Sequence, residues 1–235
     1  MKDKVIAIDG PSGSGKSTIA RIIASRLSLT YLDTGAMFRA LAFVLKDVNI
    51  DFSQNILKPQ DKDTLTRFLT KLKFEYSPTE SVLVRLNNDD LTNVIREHSV
   101  SEMASRVSKF SEIRNYLKDK QREISSIKAS VLEGRDIGTV VFPNAALKIY
   151  LVADSRIRAQ RRFNQLVEKD PDNKKNLSVE SILTDIDDRD LQDQTRDIAP
   201  LRKAPDAISI DTTNLSIDEV TDTIINEYNK NKIYF

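Results

Sequence analysis

An α/β fold, a central parallel sheet with helices on both faces, is the architecture that this sequence of 235 residues predicts. Three observations point to it. Short apolar runs read as buried strands at 4–9, near 30–33, and at 130–133, 147–152 and 206–210. Helical periodicity fills the intervals: Ile19, Ala20, Ile23, Ala24 and Leu27 share one face, and Ile217, Val220, Ile224, Ile225 and Tyr228 share another. Strands that alternate with helices are joined by crossovers, so neighbouring strands run parallel and both sheet faces are covered.

Composition sets the bounds. A hydrophobic fraction of 40% with 30% charged residues permits a sizeable core, in one large domain or a core domain with insertions. The 36 Lys+Arg against 35 Asp+Glu leave a net charge of +1, so no global field draws nucleic acid or membranes, and any anion site must be local. The chain has no cysteine and one histidine, His98, which excludes a disulfide framework and a thiolate metal site. The apolar run after Met1-Lys2-Asp3-Lys4 is too short for a signal peptide or a membrane helix, and a cytoplasmic location is expected. Nothing in the pattern suggests an oligomeric interface, and a monomer is expected.

The first strand runs into "IAIDGPSGSGKSTIA", residues 6–20. Gly10, Pro11, Ser12, Gly13, Ser14, Gly15, Lys16 and Ser17 satisfy G-x-x-x-x-G-K-[ST] between a strand and a helix, with Thr18 next. Glycines let successive N–H groups turn inward around phosphate oxygens at the positive end of the following helix. Lys16 reaches the β- and γ-phosphates, and the Ser17 hydroxyl can ligate Mg²⁺. The expected guest is a nucleoside triphosphate on a three-layer P-loop NTPase fold. The motif alone does not choose among kinase, ATPase and GTPase. The nearest approach to a guanine-reading N-K-x-D, Asn173-Lys174-Lys175-Asn176, ends wrongly and follows no strand.

The second strand, in "YLDTGAMFRA", ends at Asp33, with Arg39 in the helix beyond it. At about 68–97 the rhythm breaks. Leu72, Phe74 and Tyr76 alternate with polar residues, a Ser-Pro-Thr-Glu turn follows, and Val82 and Val84 begin a second strand, which together predict a small antiparallel hairpin. In "LEGRDIGTVVFP", Arg135 and Asp136 follow a buried strand directly, where open α/β sheets bind ligands. After the run at 147–152 come Arg156, Arg158, Arg161 and Arg162, then the polar stretch 168–176, a pattern that reads as a surface patch or as a mobile lid carrying arginines. Ile182, Ile186, Arg189, Asp193 and Arg196 share one helical face that changes from apolar to charged. That face is either a solvated helix end or an overhang above the phosphate site. Ser216 and Glu219 stand at capping-box spacing and mark the last helix.

Taken in order, "IDGPSGSGKST", "YLDTGAMFR", "GRDIGTVVFP", "RAQRRF" and "RDIAPL" resemble the bacterial cytidylate kinases, among the P-loop nucleoside monophosphate kinases, over nearly the whole chain. The resemblance implies one kinase domain over 1–235. Its core would be about 1–33, 100–153 and 197–235, with an acceptor-binding part holding the hairpin at about 34–99 and a helical lid at about 154–178. It implies direct transfer of the ATP γ-phosphoryl group to CMP or dCMP, with Mg²⁺ held by Ser17 and by Asp33 through water.

By matching motif positions, Arg39, Arg135 and Arg196 would hold the acceptor phosphate. Thr34, Ser105, Arg114 and Asp136 would surround the cytosine, and Arg189 and Asp193 would sit near the ribose. Arg158 and Arg162 would act from the lid, joining Lys16 and Arg196 as catalytic groups. The Asp136 carboxylate can accept from the exocyclic amine of cytosine, and Arg114 can donate to its carbonyl, so UMP is expected to be a poorer substrate. The family often has Asp where this chain has Glu133, and Ser and Tyr where it has Thr34 and Phe38. Thr34 keeps a hydroxyl, Phe38 is assigned to packing, and Glu133 is given no role. The rival readings are a kinase for UMP, AMP or a non-nucleotide acceptor, and a nucleotide-dependent switch without acceptor chemistry.

Overall fold

The computed structural model describes residues 2–54, 56–77, 84–171 and 177–235. In chain order its elements are β1 (Asp3–Asp9), α1 (Lys16–Arg26), β2 (Thr30–Asp33), α2 (Thr34–Leu45), α3 (Pro59–Lys71), β3 (Phe74–Tyr76), β4 (Val84–Leu86) and β5 (Asp89–Asp90). There follow α4 (His98–Val107), α5 (Ser111–Ile127), β6 (Ser130–Gly134), β7 (Ala145–Val152), α6 (Ser155–Lys169), α7 (Val179–Thr195), β8 (Ile208–Asp211) and α8 (Ile217–Lys230). The chain forms two compact units, one of Met1–Leu29 with Ala129–Phe235 and one of Thr30–Lys128.

In the first unit, strands pair in the order β6–β1–β7–β8, every pair parallel. Val5, Ile6, Ala7 and Ile8 are fully buried between neighbours, as a continuous apolar run in a parallel sheet must be. The register sets Asp9 level with Gly134 on one side and Tyr150 on the other. The loops that leave these three strands therefore start from one edge of the sheet. Strand β8 begins later than the apolar run suggests, because the Ala207 N–H closes a turn onto the Ala204 carbonyl at 3.0 Å.

Helix α1 buries Ile19, Ala20, Ile23 and Ala24, the face read from the sequence, and packs against β6 and α8. Helix α8 starts in the expected capping box of Ser216 and Glu219, and buries Val220, Ile224 and Tyr228. Ile217 departs from its stripe and is 50% exposed, since its place in the first turn lies ahead of the buried face. Asp154 caps α6 and Ser178 caps α7. The two helices pack through Ala159, Ile182 and Ile186, with Phe163, Leu166, Val179 and Leu183 at the margin.

The second unit holds the antiparallel insertion, with a correction to its extent. Residues 68–71 are the end of α3, and the sheet has three strands, β3–β4–β5. The third strand follows a tight turn in which Asn87 and Asn88 both take positive φ, 52° and 75°, a conformation asparagine tolerates and hairpins favour. The predicted turn residues Pro78, Thr79 and Glu80, and Val82, lie outside the described residues, as do 172–176 of the polar stretch.

Candidate active site

Beyond Asp9 the chain turns so tightly over β7 that a Cβ on Gly10 would lie 2.2 Å from the Leu151 carbonyl oxygen; only glycine fits. Gly13 is close to α6 in the same way, with φ 75° and a Cβ position 3.1 Å from that of Arg158. Helix α1 then begins with no side-chain cap and no acidic residue in its first turn. That end keeps the positive field of the helix for an anion.

Lys16 is buried, and its ammonium donates to the Pro11 carbonyl at 2.6 Å and to Ser14 Oγ at 3.4 Å. Burial, and then the Arg135 cation, push its pKa down to about 7 against the pull of Glu133. The Ser17 hydroxyl donates to Glu133 Oε1 at 2.6 Å.

A charged cluster occupies the ends of β6 and α7 in the same unit. Arg135 Nε donates to Asp193 Oδ2 at 2.8 Å, and Arg196 Nη1 lies 3.3 Å from Asp193 Oδ1. Arg196 Nη2 is 3.8 Å from Asp136 Oδ1. Burial works to raise the Asp193 carboxyl, but Arg135, Arg196 and Arg189 hold it below the usual carboxylate range. Arg196 is fixed from behind as well, because Ala199, at φ 51°, turns its carbonyl back to accept from Arg196 Nε at 2.8 Å. The charge of Arg189 acts on both Lys16 and Asp193.

The arginines of α6 separate by environment. Arg158 is 6% exposed and donates to the Ala153 and Ser12 carbonyls and to Asp190. Arg161 donates to Thr212, Arg156 lies in an exposed pair with Glu180, and Arg162 is exposed.

Sequence reasoning passed over two buried carboxylates. Asp190 accepts the Ser12 N–H at 3.1 Å while pairing with Arg158, so it ties α7 and α6 to the glycine loop. Its position four residues after Ile186, on the buried side, was the available signal. Asp9 accepts from the Ile137 and Gly138 N–H groups at 2.8 and 2.7 Å. Burial pushes its carboxyl up to about 7, Asp136 adds to the rise, and the two N–H groups oppose it. A lone acid closing an apolar strand was its signal.

The other predicted residues belong to the second unit. Asp33 caps α2 by accepting from the Ala36 N–H at 2.7 Å, and its second oxygen lies 3.2 Å from Arg39. Thr34 is buried at the start of α2. Arg114 donates to the Ser108 carbonyl at 3.1 Å, and Ser108 in turn bonds the carbonyl of Ser105. The Arg114 guanidinium stands 5.3 Å from the Phe38 ring, so that ring is a cation–π partner as well as packing.

For metal, the test is donor chemistry. Among the described residues no group of three His, Cys, Asp or Glu is placed to hold an ion. The bonded Ser17–Glu133 pair does present two hard oxygen ligands, the type Mg²⁺ takes when phosphates and water complete its shell. Both oxygens of Asp33 already serve Ala36 and Arg39.

A lysine under a glycine loop, with guanidinium groups braced by carboxylates at the ends of β6 and α7, makes a site for phosphate groups. A family model described as cytidylate kinase matches residues 6–230. The cytidylate kinase of Carboxydothermus hydrogenoformans is 46% identical over 216 residues, covering 92% of each chain. That of Fusobacterium nucleatum is 41% identical over 232 residues, 99% of this chain and 100% of its own. The chain belongs to the cytidylate kinase family, ATP-using nucleotide kinases that phosphorylate CMP and dCMP. Among the described residues no helix is long and apolar enough to cross a membrane.

Proposed function

We propose that the γ-phosphoryl group of ATP passes directly and in line to a phosphate oxygen of CMP or dCMP, giving ADP and the diphosphate. The observation that carries this reading is the braced set Arg135–Asp193–Arg196–Asp136 in the same unit as the buried Lys16. Phosphoryl transfer asks for positioning and charge neutralisation more than for covalent chemistry. In this reading residues 10–18 bind the ATP phosphates, and Lys16, Arg158, Arg162 and Arg196 stabilise the transferring group. Arg39, Arg135 and Arg196 bind the acceptor phosphate. Thr34, Ser105, Arg114 and Asp136 read the base, and Arg189 and Asp193 serve the ribose.

Mg²⁺ would be held by Ser17, with Glu133 beside it, and would supply neutralisation of the phosphate charge. No general base is required, because a phosphate monoester with a second pKa of about 6 is already an anion at neutral pH. We assign residues 34–99 to acceptor binding and 154–178 to a lid, and we place a monomer in the cytoplasm. The test incubates the protein with ATP, Mg²⁺ and a panel of nucleoside monophosphates. CDP formed fastest supports the reading; slow ATP loss without a diphosphate product refutes it.

A further inference from the structure

We infer that Asp9 is a positioning residue for base selection: from the end of β1 it caps the turn behind Asp136, and so leaves the Asp136 carboxylate to the base. The inference rests on the base-reading role given to Asp136 above.

Residues Ile137–Val141 form a single π-helical turn, a form that is rare and concentrated at functional sites. Its π-type bonds run from the Val141 N–H to the Asp136 carbonyl and from the Phe142 N–H to the Ile137 carbonyl, at 3.1 and 2.7 Å, and the Val140 N–H also reaches the Asp136 carbonyl at 2.9 Å. Asp136 stands at the N-cap position, where an aspartate ordinarily accepts from the first amides of the turn. Here its side chain makes no capping bond. The work is done by a residue 128 positions away, as Asp9 Oδ1 takes the Ile137 N–H and Asp9 Oδ2 the Gly138 N–H. Asp136 turns elsewhere, toward Arg196 at 3.8 Å among its partners.

The approach is close. A Cβ on Gly138 would lie 3.3 Å from Asp9 Oδ2 and 3.2 Å from Lys148 Cδ. Keeping a carboxylate there is costly, since burial drives its pKa up to about 7. A local cap would satisfy the same amides without that cost. What the long-range cap adds is an Asp136 that is spared capping.

In Asp9→Asn one carboxylate oxygen becomes an NH₂ that faces an N–H donor. Asp136 is then drawn back to cap its own turn and away from the base. The ratio of kcat/KM for CMP to that for UMP is expected to fall about tenfold, the scale of a small misplacement in a preorganised site. The KM for ATP should stay within about twofold. A merely structural role would lower the melting temperature and leave that ratio alone. Three variants are measured against the wild type: Asp9→Asn, Gly138→Ala, which crowds the same oxygen, and Asp136→Ala. If Asp136→Ala collapses the ratio and Asp9→Asn lowers it with ATP KM held, the inference stands. If Asp136→Ala collapses it and Asp9→Asn does not move it, the inference is wrong and the base-reading role survives. If Asp136→Ala leaves it unchanged, both fall. Should Asp9→Asn not fold, Gly138→Ala decides by the same two outcomes.

Discussion

Replacing Asp193 by Asn removes one charge and almost no volume, and the structure gives the consequence a size. The carboxylate is bonded to Arg135 at 2.8 Å and lies 3.3 Å from Arg196, with side-chain exposures of 11%, 18% and 7% for Asp193, Arg135 and Arg196. Two poorly solvated guanidinium groups would lose that partner, leaving Arg196 with Asp136 at 3.8 Å and Arg135 with the charges of Glu133 and Asp190. Breaking a buried pair by removing one partner costs about 3–5 kcal/mol. For a chain of this size that is a fall in melting temperature on the order of 10 °C. The pH dependence follows from the sign of the shift. Asp193 is held below the usual carboxylate range, so its stabilisation is fully present above the unfolded-chain value of about 4. It is lost as pH falls through the lower folded value. Differential scanning calorimetry of wild type and Asp193→Asn should show the gap intact from pH 7 to 5 and closing only below about 4. A gap under about 2 °C at pH 7, or one already closed by pH 5, would refute the account of the cluster.

Two further outcomes are expected. Lys16→Ala should lower kcat by about 10²–10³, the usual loss for one preorganised electrostatic group, while a circular dichroism melt stays cooperative. Unchanged steady-state turnover would remove the lysine from the mechanism. Arg156→Ala should leave turnover and stability near wild type, since Arg156 and Glu180 form a pair 70% and 71% exposed. A loss above about tenfold would show Arg156 acting on the substrates rather than on solvent.

What was legible in the sequence is what depends on local backbone. The glycine loop could be read because its spacing encodes one turn, and Gly10 and Gly13 sit where a Cβ would strike Leu151 and Arg158. Arg135 and Asp136 could be read because they follow a strand whose end lies level with Asp9. Asp9 and Asp190 escaped because their partners stand 128 and 178 residues away, and no periodicity reports on such a distance. Glu133 looked like a departure from the family pattern, yet its carboxylate reaches the Ser17 hydroxyl at 2.6 Å. Strand β5 escaped for another reason: two residues have no period, and only the left-handed turn at Asn87 and Asn88 creates it.

Charge placement connects these features. A net charge of +1 cannot draw anions from afar, and fields of exposed charges fade within about 8 Å at physiological ionic strength. In the first unit, however, Lys16, Arg135, Arg158, Arg189 and Arg196 are concentrated with Glu133, Asp136, Asp190 and Asp193 among them. The acids do more than balance the sum. Arginines buried together without them would repel one another and be drawn toward solvent, whereas Asp193 and Asp190 fix Arg135, Arg196 and Arg158 in place. With the roles proposed above, an entering phosphate would meet donors already desolvated and oriented, so little reorganisation would remain to be done during the transfer.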